Sequence, residues 1–157
     1  MKKILVALVL MAMSFAAFAQ LNIQSKNEKV EIVGTLRSTY AYLGRQGGKY
    51  FLRIRTDNQF DNGCNFVLGN DVISSIRTLE DLYELTQTLE NNASVNATDA
   101  DETEVLIVRK TMLGAPYLVL KMEDCAGVSN ITYKELERAK EIIIKEEGID
   151  ESELKKE

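Results

Sequence analysis

Two periods of apolar residues divide the chain from Val30 onward, one of two residues and one of about 3.6. Val30, Ile32, Gly34, Leu36, Ser38, Tyr40 and Tyr42 take one side of an alternating run. Glu31, Val33, Thr35, Arg37 and Thr39 take the other, which predicts a long strand bulged at Gly34. Gly44-Arg45-Gln46-Gly47-Gly48 supplies a turn. Tyr50, Leu52 and Ile54 then begin a return strand, with Phe51, Arg53 and Arg55 on its opposite side. The turn-rich stretch Asp57–Gly63 leads to a third short strand, Cys64–Leu68, which Gly69-Asn70 ends.

At Thr78–Glu90 the period changes. Leu79, Leu82, Leu85, Thr86 and Leu89 share one helical face, and Glu80, Asp81, Glu84, Gln87 and Thr88 share the other. Thr78 with Asp81 three residues on resembles a capping box. The preceding Asp71–Arg77 fits either a short helix or an irregular crossing. Asn91–Glu104 is polar and rich in small residues, which predicts a solvated, poorly ordered loop. Val105–Thr111 and Tyr117–Met122 form a second hairpin across Gly114-Ala115-Pro116. Thr132 and Glu135 make a regular capping box for a helix from Tyr133 to about Glu147, with Gly148 suited to its end. That helix buries Leu136, Ala139 and Ile143, while Ile142 falls on its polar side.

The pattern as a whole predicts an α+β domain: a mainly antiparallel sheet of about five strands, with two helices packed on one face. The strands are two hairpins plus one more. Leu36, Tyr50, Leu52, Ile54, Leu106, Val108, Leu118, Leu120 and Met122 are assigned to the helix side. One internal echo is visible, Ser75-x-x-Thr78-x-x-Asp81-Leu82 against Ser129-x-x-Thr132-x-x-Glu135-Leu136. An ancient duplication explains it, and so does the ordinary chemistry of two helix starts.

Residues 1–19 stand outside this pattern. Lys2 and Lys3 precede an apolar run from Ile4 to Met13, and Ala17-Phe18-Ala19 has the small-x-small form of a cleavage site. This predicts a bacterial signal peptide cut after Ala19, and therefore a periplasmic or secreted protein. No later run is long and apolar enough to span a bilayer. Residues 20–28 are read as a flexible leader, 29–148 as a single domain and 149–157 as a charged, frayed tail. Of 157 residues, 138 follow the cleavage site, enough for one sizeable core. Losing Lys2 and Lys3 moves the formal charge from −5 to −7. An acidic chain gains nothing from DNA, RNA or anionic lipid unless a local basic patch supplies the attraction.

Histidine is absent from the whole chain. That removes Ser-His-Asp and Cys-His catalysis and every His-containing zinc site. Cys64 and Cys125 are too far apart for a redox motif. In an oxidising compartment they form one structural disulfide or, alternatively, remain two buried thiols. Asp57–Gly63 carries oxygen donors at alternate positions, yet its glycine is one place late for an EF-hand and no twelfth-position Glu follows. No metal and no cofactor are expected.

The sheet face away from the helices is where a functional argument starts. Alternation puts Arg37, Phe51, Arg53, Arg55, Arg109, Tyr117 and Lys121 there, with Val105, Ile107 and Val119 among them. A guanidinium fork suits oxyanions, so this face fits an anionic glycan or an acidic protein. Exposed strands also carry Arg and Lys simply for solubility. The leading expectation is a non-enzymatic binding module with no nucleic-acid partner. The alternative is a carboxylate-dependent glycan hydrolase, which needs two acids facing each other across a cleft.

Overall fold

The structure, a computed structural model, describes residues 29–37, 41–57 and 63–154. The expected signal peptide and leader, and the last residues of the tail, lie outside the described residues. Alternating runs form β1 (Glu31–Arg37), β2 (Ala41–Gln46), β3 (Lys49–Ile54) and β4 (Cys64–Val67), each antiparallel to the next. Helix α1 (Val72–Thr88) follows. The order then repeats: β5 (Ser94–Thr98), β6 (Glu104–Met112), β7 (Ala115–Met122) and β8 (Ser129–Thr132) form a second antiparallel sheet, and α2 (Tyr133–Glu147) follows it. The α+β, antiparallel reading holds. The single five-stranded sheet does not, because there are two sheets of four.

Three misread stretches account for the difference. The long strand expected from Val30 to Tyr42 is two strands, β1 folding back on β2 with Arg37 opposite Ala41. Register shifts lie between Ile32 and Gly34, as the expected bulge requires, and again between Thr35 and Arg37. The stretch expected to be a loop contains β5, which turns Val95 and Ala97 inward and leaves Ser94, Asn96 and Thr98 exposed. β8 went unread because Ile131 is its one large apolar residue.

Helix α1 begins six residues before Thr78. Asp71 is its N-cap, accepting a 2.7 Å bond from the Ser74 amide, while the Ser74 hydroxyl receives the Asp71 amide. Serine in the third helical position replaces the usual Glu or Gln of a capping box. α1 buries Ser75, Ile76, Leu79, Leu82 and Thr86. α2 begins where the sequence places it, capped by Thr132 and Glu135, and ends at Gly148 with φ 63°. Structural equivalence therefore pairs Asp71 with Thr132 as helix caps. The sequence echo, which pairs Thr78 with Thr132, is not the trace of the repeated architecture.

Both helices pack on the same composite core. α1 lies against β3 and β7, α2 against β1 and β8, and the helices against each other. Ile142, on the nominally polar side of α2, closes on β1 at Gly34, where a Cβ would come within 2.5 Å of its Cδ1. Tyr50 is fully buried, and its hydroxyl donates to Glu147 at the end of α2 (2.5 Å). Burial, then this bond, pushes the phenol up to about 12. The tail continues as a turn of helix, α3 (Glu151–Leu154), and Ile149 and Leu154 pack on the core.

Three of the links that join the halves lie outside the helices. Thr56 pairs with Ser129, flanked by Asp57 N–H to the Val128 carbonyl (3.0 Å) and Val128 N–H to Asp57 Oδ1 (2.9 Å). Asp99, buried in the β5–β6 turn, accepts from Val67 N–H of β4 (3.1 Å) and from the amides of Asp101 and Thr103. The third is a disulfide between Cys64 and Cys125, with Cα atoms 6.2 Å apart. It closes a loop spanning 61 positions, worth about 4 kcal/mol in the chain-entropy model. Replacing both cysteines by serine is expected to lower urea-unfolding stability by about that amount. Thiol titration of the denatured, oxidised protein is expected to find no free cysteine.

Candidate functional site

Since both helices sit on one side, each sheet keeps one face toward solvent. Strand register sets what the second sheet shows there. Ser94 pairs with Val108, Val108 with Val119, and Val119 with Asn130, one continuous row across β5 to β8. The row on one side holds Lys110, Tyr117 and Thr132, and the row on the other holds Asn96, Leu106 and Lys121. Leu106, Val108, Tyr117 and Val119 all remain partly exposed. The result is a flat aliphatic centre with a lysine at each end. A shallow depression of about 730 Å³ opens between β5, β6 and β7, with Asn96, Leu106, Lys121 and Glu123 along it.

The seven expected site residues do not form one surface. Tyr117 and Lys121 lie on this open face. Arg55 is exposed one residue before Thr56, whose pairing with Ser129 sets Arg55 beside Asn130 at the edge of the same grid. Both line a depression of about 620 Å³. Arg53 lies further along β3 and donates to Asn65 Oδ1 (3.1 Å). Phe51 faces away from the helices as expected but is only 4% exposed. Its ring covers Gly44, where an added Cβ would fall 2.3 Å from the ring. The depression beside it is bordered by Asp101 and Asp124, and the Lys49 ammonium is bonded to Asp101 at 2.6 Å.

Two arginines belong to the helix side, a correction with a physical reason in each case. Arg37 is brought to the side of α2 by the second register shift of β1, although its side chain stays partly exposed and lines the same depression as Arg55. Its guanidinium grips the Glu135 carboxylate twice, at 2.5 and 2.7 Å, and reaches the Asn130 carbonyl. Arg109 shares its face with Val105 and Ile107, which are buried, whereas Leu106 and Val108 are on the open side. Its Nε donates to the Thr86 carbonyl near the C-terminus of α1 (3.0 Å), where a cation satisfies an otherwise unpaired acceptor. Lys110 was missed for the same reason, since the wrong phase for β6 puts it with the core.

The buried carboxylates among the described residues are Asp99 and Glu135, and both are occupied. Asp99 holds three backbone amides. Burial alone would raise Glu135, but bonds from Arg37, the Thr132 amide and the Thr132 hydroxyl outweigh it and hold the carboxyl below its usual range. A general acid needs the opposite shift. Among the described residues no group of three or more His, Cys, Asp or Glu gathers in a metal-holding arrangement. No family model matches the chain, and no curated protein or solved structure matches it either.

Glu135 caps α2 and ties it to β1, so its ionisation supports folding. With the folded value below the unfolded reference of 4.5, that stability is fully present above about pH 4.5 and is lost as pH falls through the folded value. Glu135→Gln is expected to cost about 1–2 kcal/mol at neutral pH. The gap to wild type should narrow in urea titrations at pH 3.

Proposed function

We propose that this is an exported, non-enzymatic binding module that holds an acidic protein partner against the open face of its second sheet. The observation that carries the reading is the uncovered aliphatic cluster of Leu106, Val108 and Val119, with Lys110 on one side and Lys121, paired with Leu106, on the other. Apolar area at the centre supplies affinity, and the flanking cations orient a partner of opposite charge. On a chain of formal charge −5, such a patch selects partners by contrast with its surroundings.

Export is supported by the leader pattern of residues 1–19 and by a disulfide suited to an oxidising compartment. No described helix is long and apolar enough to cross a membrane. An acidic protein fits better than an anionic glycan, because the centre is aliphatic and Tyr117 is the face's one aromatic platform for a sugar ring. The glycan-hydrolase alternative draws no support from Asp99 or Glu135, whose oxygens are engaged in holding the fold.

The test compares wild type with Lys110→Gln/Lys121→Gln in pull-downs from an envelope fraction at low and high salt. A specific acidic partner should be retained by wild type, lost by the variant, and released as salt rises over the range where exposed charges are screened. Both proteins should unfold within about 0.5 kcal/mol of each other, as surface changes usually do. A partner held equally by both proteins would overturn the reading.

A further inference from the structure

The β6–β7 hairpin ends in a feature that the open face does not explain. Its two-residue turn, Leu113-Gly114, has φ of 51° and 82°, both in the left-handed region. The equivalent turn of the first half, Gly47-Gly48, has φ of 59° and 78° and uses glycine at both positions. Turns of this kind favour Asn, Asp or Gly. Here a leucine takes the strained position and is 101% exposed, with Met112 beside it at 66%. A side chain with no contacts in the fold gives nothing back for that strain within this molecule.

The surroundings point to one occupant. Between Val105 and Lys121 the hairpin carries Arg109, Lys110 and Lys121 and not one carboxylate, in a chain whose formal charge is −5. The neighbouring segment Asn91-Asn92-Ala93, bonded to Arg109 through the Asn92 amide, is also uncharged. Beyond the Lys110–Tyr117 pair, β8 no longer flanks the hairpin, because Tyr117 pairs with the last residue of β8, Thr132. The three residues from there to Leu113 project about 10 Å at the usual strand rise. A convex apolar tip of that height matches the depth at which peripheral segments sit in the headgroup and upper acyl region. Lys110 and Tyr117 stand at its base, where a cation and an amphipathic ring favour the interface.

We propose that the Met112-Leu113 tip is a membrane-contact prong that inserts into an anionic lipid surface, with Lys110 and Tyr117 seated at the headgroup level. An acidic protein otherwise repelled by such a surface would meet it hairpin first. Lys110 and Tyr117 border both the tip and the open face, but Met112 and Leu113 lie beyond that face, so Leu113→Asn alters the tip alone.

The experiment is co-sedimentation of the disulfide-bonded protein, beginning at Gln20 so that the apolar leader plays no part. The vesicles are phosphatidylcholine alone and phosphatidylcholine with one third phosphatidylglycerol. Wild type should partition onto the anionic vesicles, less so in high salt, and only weakly onto the neutral ones. Leu113→Asn should reduce partition about tenfold, the change that burying one leucine side chain is worth. Asparagine is favoured at positive φ, so this variant should melt no lower than wild type and fold loss is not a confounder. Failure of wild type to bind anionic vesicles, as expected of a prong that serves a protein pocket, would overturn the proposal. So would equal binding by Leu113→Asn, or equal binding to both vesicle types.

Discussion

A four-stranded antiparallel sheet has two faces, and one helix can cover at most one of them. Every larger feature of this molecule follows from how that limit is met twice. α1 does not serve its own sheet alone. It lies against both β3 and β7 and packs on α2, so the large buried side chains of both halves belong to one cluster. Neither half has a complete core without the other. Because both helices are used on the same side, the far faces of both sheets are left to other means of cover. The first sheet manages partly by itself, with Phe51 lying flat over Gly44. The second leaves Leu106, Val108 and Val119 partly exposed.

Burying the seams between the halves required polar groups, and those groups account for the fate of the charged residues. Asp99 collects the amides of a tight turn and one amide of β4, which would otherwise be unpaired donors. Glu135 collects Arg37 and the amide of Thr132, the N-cap of α2. Arg109 fills the opposite need, donating to a carbonyl near the end of α1. Inward-turned charges are thus matched to particular backbone orphans or to each other, consistent with the absence of buried unsatisfied side-chain atoms among the described residues. Lys110 and Lys121 have no such inward duty. Their position on an aliphatic face is a property of the surface.

How much of this was legible depends on how many signals each element carried. α2 announced itself with a standard capping box, a clean apolar stripe and a terminal glycine, and it lies where the sequence puts it. α1 was readable in its leucines but not at its start, because Ser74 closes the capping box in place of a longer acid or amide. Pairing of Cys64 with Cys125, the leading reading of two widely spaced cysteines in an exported chain, is what the structure shows. The face assignments failed where alternation gave no phase. Val105-Leu106-Ile107-Val108 is apolar throughout, so period two cannot say which pair points inward. Only packing against β7 and α1 decides, and it selects Val105 and Ile107. In β1 the second register shift moves the phase by a residue, which places Arg37 on the side of Gly34 and Glu135. The short strands β5 and β8 offered too few apolar residues to rise above a loop pattern.

Those phase errors bear directly on function. An arginine cluster spread over one broad face would have been a general receptor for oxyanions. With Arg37 and Arg109 bonded to groups of the helix side, and Phe51 set among Asp101, Asp124 and Lys49, the expected cluster is divided between Arg53 and Arg55 on the first half and the β6–β7 hairpin on the second. The equivalent hairpin of the first half ends in two glycines and projects no exposed side chain from its turn. The two halves, alike in architecture, thus differ at a turn where the fold imposes little. Nothing in core packing or hydrogen bonding calls for a leucine at position 113, and backbone geometry disfavours it. Residues kept against local preference and without internal contacts are accounted for by what they meet outside the molecule. By that reasoning the β6–β7 hairpin, more than the buried carboxylates or the disulfide, is where this protein's partners should be sought.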